Sequence, residues 1–190
     1  MHTLGILIGS KGRGSNMAAI VRSCQQCLIN AHVGCVASTS AQAPGIQTAT
    51  DLGVPTKVIK PPREDAGHSI VEAFEGCDLI CLAGFLLLVP SAVLQKWPHR
   101  ILNIHPALLP KFGGKGMYGQ AVHEAVIAAG EVESGCTVHF VTEDYDEGDI
   151  ILQERCPVLP TDTPESLAER VLVLEHVAYS KAIQRVLDEL

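Results

Sequence analysis

Short apolar runs, each ended by glycine or a loop and followed by a helical stretch, most constrain the fold of this chain. Thr3-Leu-Gly-Ile-Leu-Ile-Gly9 reads as a buried strand, and a helix begins by Met17. Further strands are read at Ala31 to Ala37, Val54 to Ile59, Asp78 to Ala83 and Ile101 to His105. Between them lie helical stretches: Ala43 to Leu52 with Gly53 at its end, Arg63 to Phe74, and a short one from Pro90 that stops near Trp97-Pro98. Apolar strands alternating with helices imply an open, twisted, mostly parallel α/β sheet of Rossmann-like kind, with helices on both faces. Beyond Pro110, the pattern predicts a helix over Gln120 to Ala129, a strand over Gly135 to Val141 and another from Ile150. A last helix is capped by Thr163, with Pro164 at its first position and Glu165 in its first turn. Its apolar face is Leu167, Val171, Leu174 and Ala178. No repeat, linker or low-complexity stretch divides the chain, so residues 1–190 read as one α/β domain.

Composition limits the partners. Apolar residues make up 47% of the 190, enough for a full core. The net charge of -7 argues against nucleic acid. A phosphorylated small molecule is compatible with that charge, because backbone N–H groups bind phosphate locally. His2-Thr3 leads directly into the first apolar run, without a secretory start, and no run reaches membrane-spanning length. Seven cysteines, an odd number without framework spacing, then read as reduced thiols of a cytoplasmic protein with no membrane partner. Cys24 and Cys27 have metal-type spacing but fall in a helical stretch with no second pair, so no metal site is expected.

Two stretches carry chemistry. In Ile101-Leu-Asn-Ile-His-Pro-Ala-Leu-Leu-Pro110, strand alternation turns Asn103 and His105 to the same side, and Pro106 ends the strand. An amide and an imidazole then stand together at a strand's carboxyl end, where open α/β sheets bind ligands. The second stretch is the glycine-rich loop Ser10-Lys-Gly-Arg-Gly-Ser-Asn16 between the first strand and its helix. Such a loop makes an anion site, with Ser15 or Asn16 available as helix caps. The glycines at 9, 12 and 14 do not spell G-x-G-x-x-G, and no acidic residue ends the second strand, so a dinucleotide is weakly supported. Gly114-Lys115 is followed by Gly116, so no P-loop is present. The apolar run Leu86 to Val89 can wall a flat aromatic ligand.

Asn103-Ile-His-Pro-Ala-Leu-Leu-Pro-Lys111, Ser134-Gly-Cys-Thr-Val-His-Phe-Val141 and Asp146-Glu-Gly-Asp-Ile-Ile-Leu-Gln153 resemble signatures of the folate-dependent formyltransferases. The likeness is most specific from Ile101 to Gln153, and within that superfamily it is greatest to the branch acting on glycinamide ribonucleotide. It implies a formyltransferase-like fold, 10-formyltetrahydrofolate as co-substrate without a metal, and the ribonucleotide's amine as acceptor, in purine biosynthesis. It also implies a phosphate-binding half over about 1–100 and a folate and catalytic half over about 101–190. The family's catalytic Asn, His and Asp match Asn103, His105 and Asp146. Its phosphate loop matches Gly14, Ser15 and Asn16, and its glutamate beside the glycinamide matches Glu175. Folate contacts match Arg63, Leu86, Leu87, Leu88, Val89, Asn103, Thr142, Glu143, Asp144, Tyr145 and Asp146. Many relatives have Met-Arg where this chain has Leu86-Leu87, and the loop Gly113 to Gly119 carries no assignment.

The residue types suit the implied reaction. Asn103 can donate to an oxyanion, His105 can donate or shuttle a proton, and Asp146 is expected to orient the imidazole and favour its charged form. The other seven histidines read as surface or satisfied core, His139 least clearly because it lies on a strand. Alternative readings are a formyltetrahydrofolate hydrolase, another formyltransferase of the superfamily, or a nucleotide-binding module without catalysis. The first two usually carry an additional domain, for which 190 residues leave no room. A monomer and a homodimer are both compatible with the sequence.

Overall fold

A computed structural model describes all residues 1–190. The expected single α/β sheet is present. It has seven strands: β1 (His2–Ile8), β2 (Ala31–Ser38), β3 (Thr56–Val58), β4 (Leu79–Ala83), β5 (Ile101–His105), β6 (Glu133–Phe140) and β7 (Ile150–Pro157). Their order is β3-β2-β1-β4-β5-β6-β7. The first five are parallel, and β6 and β7 run antiparallel to their neighbours. Strand order reverses between β1 and β4, which opens a crevice at their carboxyl ends. The two loops meet there so closely that a Cβ on Gly9 would lie 2.1 Å from the Gly84 carbonyl oxygen.

Strand alternation feeds two cores. Leu4, Ile6 and Ile8 of β1, Cys81 of β4 and Leu102 and Ile104 of β5 join one. It is covered by α1 (Ser15–Gln25), α2 (Pro44–Asp51), α6 (Gln120–Ala128) and α7 (Pro164–Leu187). Leu7, Ile80, Leu82 and Ile101 face the other way, against α4 (His68–Ala73) and α5 (Ser91–Lys96). α7 is the longest helix, at 24 residues, and starts as expected: Thr163 accepts from the Ser166 N–H, and the Ser166 hydroxyl accepts from the Thr163 N–H.

The structure revises several local expectations. The helix read over Arg63 to Phe74 is two, α3 (Pro62–Asp65) and α4, broken where Ala66 and Gly67 take φ 52° and 86°. The Asp65 carboxylate accepts from the N–H groups of Gly67 and Ser69, so its capping competes with a continuous helix. β3 is only three residues long. Helix α1 begins at Ser15, with Gly14 as its N-cap and no side-chain cap, so neither Ser15 nor Asn16 caps it.

Tyr179 of α7 is 1% exposed. Its hydroxyl lies 2.8 Å from the Leu82 carbonyl and 3.0 Å from that of Leu102, one residue before Asn103. Tyr179→Phe leaves these buried acceptors without that proton. Urea unfolding is expected to show a loss of roughly 1–3 kcal/mol; an unchanged midpoint would show that the hydroxyl adds nothing.

Candidate active site

Parallel pairing of β4 with β5 and antiparallel pairing of β5 with β6 place the reactive side chains. Asn103 is opposite Leu82 on one side and His139 on the other. Directly opposed residues share a sheet face, so His139 points where Asn103 points. Asp146, in the loop between β6 and β7, returns to this edge with φ 59°. Its Oδ2 lies 3.5 Å from His105 Nδ1 and accepts from the Gly114 N–H at 2.9 Å. Its Oδ1 lies 3.5 Å from both His139 Nε2 and Asn103 Nδ2. The expected trio of Asn103, His105 and Asp146 is therefore brought together, with His139 added.

Hydrogen bonds assign the ring protons. His105 Nε2 is 2.8 Å from the Phe112 carbonyl, which only accepts, so Nε2 carries the proton and Nδ1 faces the carboxylate. His139 Nδ1 likewise donates to the Phe140 carbonyl at 2.8 Å. Its Nε2 lies 3.2 Å from Asn103 Nδ2 and 3.5 Å from Asp146 Oδ1, between the amide and the carboxylate.

Asp146 favours the charged form of His105, as expected, but a larger effect opposes it. Burial pushes the His105 pKa down, and this outweighs the upward pull of Asp146 and of the Phe112 carbonyl. The imidazole is thus held below the ordinary histidine range. Burial pushes Asp146 up, but His139, His105 and the Gly114 N–H together hold it below the ordinary carboxylate range. The two residues thus form a pair in which burial opposes, and the carboxylate favours, the imidazolium.

These groups line a cavity of about 930 Å³. One wall is Leu86, Leu87, Leu88 and Val89 with Thr142, Asp144 and Tyr145, and the Tyr145 hydroxyl donates to the Leu86 carbonyl at 3.4 Å. Three leucines in a row stay 45–50% exposed there, an unfilled apolar surface. Arg63, exposed on α3, and Glu143 do not line this cavity. The apolar run Leu86 to Val89 carries no cation of its own.

The same cavity is lined by Ser15 and Asn16 of α1 and by Glu175 of α7. α1 has no side-chain cap and no acidic residue in its first turn, so its leading N–H groups are free for an anion. Asn16 Nδ2 donates to Glu175 Oε2 at 2.6 Å. Burial raises the Glu175 pKa against the lowering effect of that bond. No group of three or more His, Cys, Asp or Glu side chains is placed to hold a metal ion.

Sequence reasoning missed His139 and His123 as lining residues. His139 was within reach, because antiparallel pairing of the fifth and sixth strands would have set it opposite Asn103. His123 depends on the packing of α6 against α7, which no spacing announces.

The open α/β sheet thus carries an amide, two imidazoles and a carboxylate at its carboxyl edge, in a cavity shared with the start of α1 and an apolar wall. The formyl transferase family model matches residues 5–183. The chain belongs to that family. It is 42% identical over 185 residues to the chloroplastic phosphoribosylglycinamide formyltransferase of Arabidopsis thaliana, covering 94% of this chain and 63% of that protein. It is 39% identical to the human trifunctional purine biosynthetic protein adenosine-3, over 92% of this chain and 17% of that protein. The chain thus spans under two thirds of either relative. Glycinamide ribonucleotide transformylase 1 from Symbiobacterium toebii superposes with a TM-score of 0.89 at 40% identity, over 97% of this chain and 86% of that one.

Gly14 tests the anion end. It has φ 77°, and a Cβ there would lie 3.0 Å from both Gly45 Cα and Met17 Cε. Gly14→Val must move the start of α1. Calorimetry with ribose 5-phosphate is expected to show affinity reduced tenfold or more (roughly 1.4 kcal/mol or more), with helical content unchanged. Equal affinity in the variant would remove the phosphate from this loop.

Proposed function

We propose that the chain transfers the formyl group of 10-formyltetrahydrofolate to the amine of glycinamide ribonucleotide, a step of purine biosynthesis, as a cytoplasmic enzyme. The observation that carries this reading is that Asn103, His105 and Asp146 line one cavity together with the start of α1 and the apolar run Leu86 to Val89. Two substrates seated in that cavity meet at the strand edge. The ribonucleotide's phosphate takes the free N–H groups of α1, its glycinamide portion lies along Glu175, and the flat pterin ring packs on Leu86 to Val89. On this reading residues 1–100 mainly hold the phosphate, and residues 101–190 supply catalysis and much of the folate site.

The neutral amine attacks the formyl carbon and negative charge develops on its oxygen. Asn103 Nδ2–H donates to that oxygen; such a donor is worth about 3–4 kcal/mol in the transition state. His105 Nε2–H, now given to the Phe112 carbonyl, turns to the same oxygen as the loop yields it. The attacking nitrogen loses a proton and the departing folate nitrogen gains one. His105 can relay it: the Asp146 carboxylate takes the amine's proton and passes it to Nδ1, 3.5 Å away, as Nε2–H is given to the folate nitrogen, so the ring ends as neutral as it began. Holding both substrates in one site supplies up to about 7–11 kcal/mol more.

The reaction is tested by mixing the protein with 10-formyltetrahydrofolate, with and without glycinamide ribonucleotide. Tetrahydrofolate is expected only with the ribonucleotide present, and Asn103→Ala is expected to slow its release by about 10²–10³. Release without the amine would make the protein a hydrolase, and no release at all would make it a binding module.

A further inference from the structure

His123 lies on α6, is 4% exposed and lines the same cavity as His105. Its Nδ1 is sealed from solvent and has no hydrogen-bond partner. A buried polar atom without a partner costs about 1–3 kcal/mol, and one that persists beside a reaction site calls for a reason. Nothing in the formyl transfer described above uses this side chain.

We infer that His123 is a positioning residue for the ribonucleotide: as a neutral imidazole, it donates its Nε2–H to the carbonyl oxygen of the glycinamide. This rests on the reading under Proposed function. With Nδ1 sealed, the cavity meets the ring through its other nitrogen. A neutral ring carries one N–H, and a stranded buried N–H is rarer in proteins than a stranded acceptor. The proton therefore belongs on Nε2, leaving Nδ1 the orphaned lone pair. Burial first, and then the nearby His105, disfavour the charged ring.

The surroundings select what this donor meets. The wall of the cavity that His123 lines carries the carboxylates of Asp144, Asp146, Glu165, Glu169 and Glu175. Acceptors of that kind suit the amine and hydroxyl hydrogens of the ribonucleotide. They cannot serve its amide carbonyl, which needs a donor. Asn103 and His105 are committed to the formyl oxygen, so His123 is the remaining side-chain donor on the α6 wall close to His105. Gln120, one turn before it, already gives its amide to Glu165.

Three variants test this. Gln places its amide nitrogen where histidine has Nε2; Asn places it where histidine has Nδ1; Leu fills the volume without a polar atom. His123→Leu is expected to raise the KM for glycinamide ribonucleotide roughly tenfold or more, the loss of a buried hydrogen bond. The KM for 10-formyltetrahydrofolate is expected to be unmoved and the thermal midpoint no lower than wild type. His123→Gln should restore most of the affinity and His123→Asn should not. A ribonucleotide KM unchanged in His123→Leu, or rescue by Asn instead of Gln, would overturn the inference. A wild-type protein that does not formylate the ribonucleotide would instead overturn the underlying reading.

Discussion

The Asp146 carboxylate holds the site together. It touches His105 and Asn103 of β5, His139 of β6 and the Gly114 N–H of the loop beyond β5. Its side chain is 10% exposed, so its charge has lost most of its water. An anion left there without partners would take up a proton instead. Here the surrounding groups hold its pKa below the ordinary carboxylate range, while burial disfavours the charged form of the neighbouring His105. The left-handed backbone at Asp146 is a modest cost, since aspartate tolerates that region better than most residues.

The sheet makes these contacts possible. Parallel pairing sets the carboxyl ends of β1, β4 and β5 side by side, and the reversal of strand order keeps that edge open. The change to antiparallel pairing at β6 brings His139 back beside Asn103. α7 runs beneath the sheet, with Tyr179 bonded to the carbonyls of β4 and β5 and Glu175 lining the cavity. One helix thus supports the reactive strand and contributes to the substrate wall.

Much of this was legible in the residues. Strand alternation was enough to pair Asn103 with His105, and glycine density marked the loop before α1. The βα rhythm announced the parallel part of the sheet. What remained hidden depends on distances between segments far apart in the chain. The Asp65 cap that divides α3 from α4 looks, in sequence, like an ordinary helical aspartate. The distance of Arg63 from the cavity follows from where α3 packs. The direction of the His105 shift turned on how far burial outweighs a carboxylate 3.5 Å away, and no spacing contains that balance.

The central claim is that Asp146 and His105 act as one unit, a carboxylate beside an imidazole whose charged form the carboxylate favours and burial opposes. The most direct measurement is the NMR titration of the His105 ring in the wild type and in Asp146→Asn, with kcat for each. The wild-type ring is expected to titrate below the ordinary histidine range. In the variant it should titrate lower still, because the one nearby charge that favours the imidazolium is gone. The same change should lower kcat by orders of magnitude, with little effect on substrate affinity. A His105 pKa that is the same in both proteins, or that rises in the variant, would contradict the account.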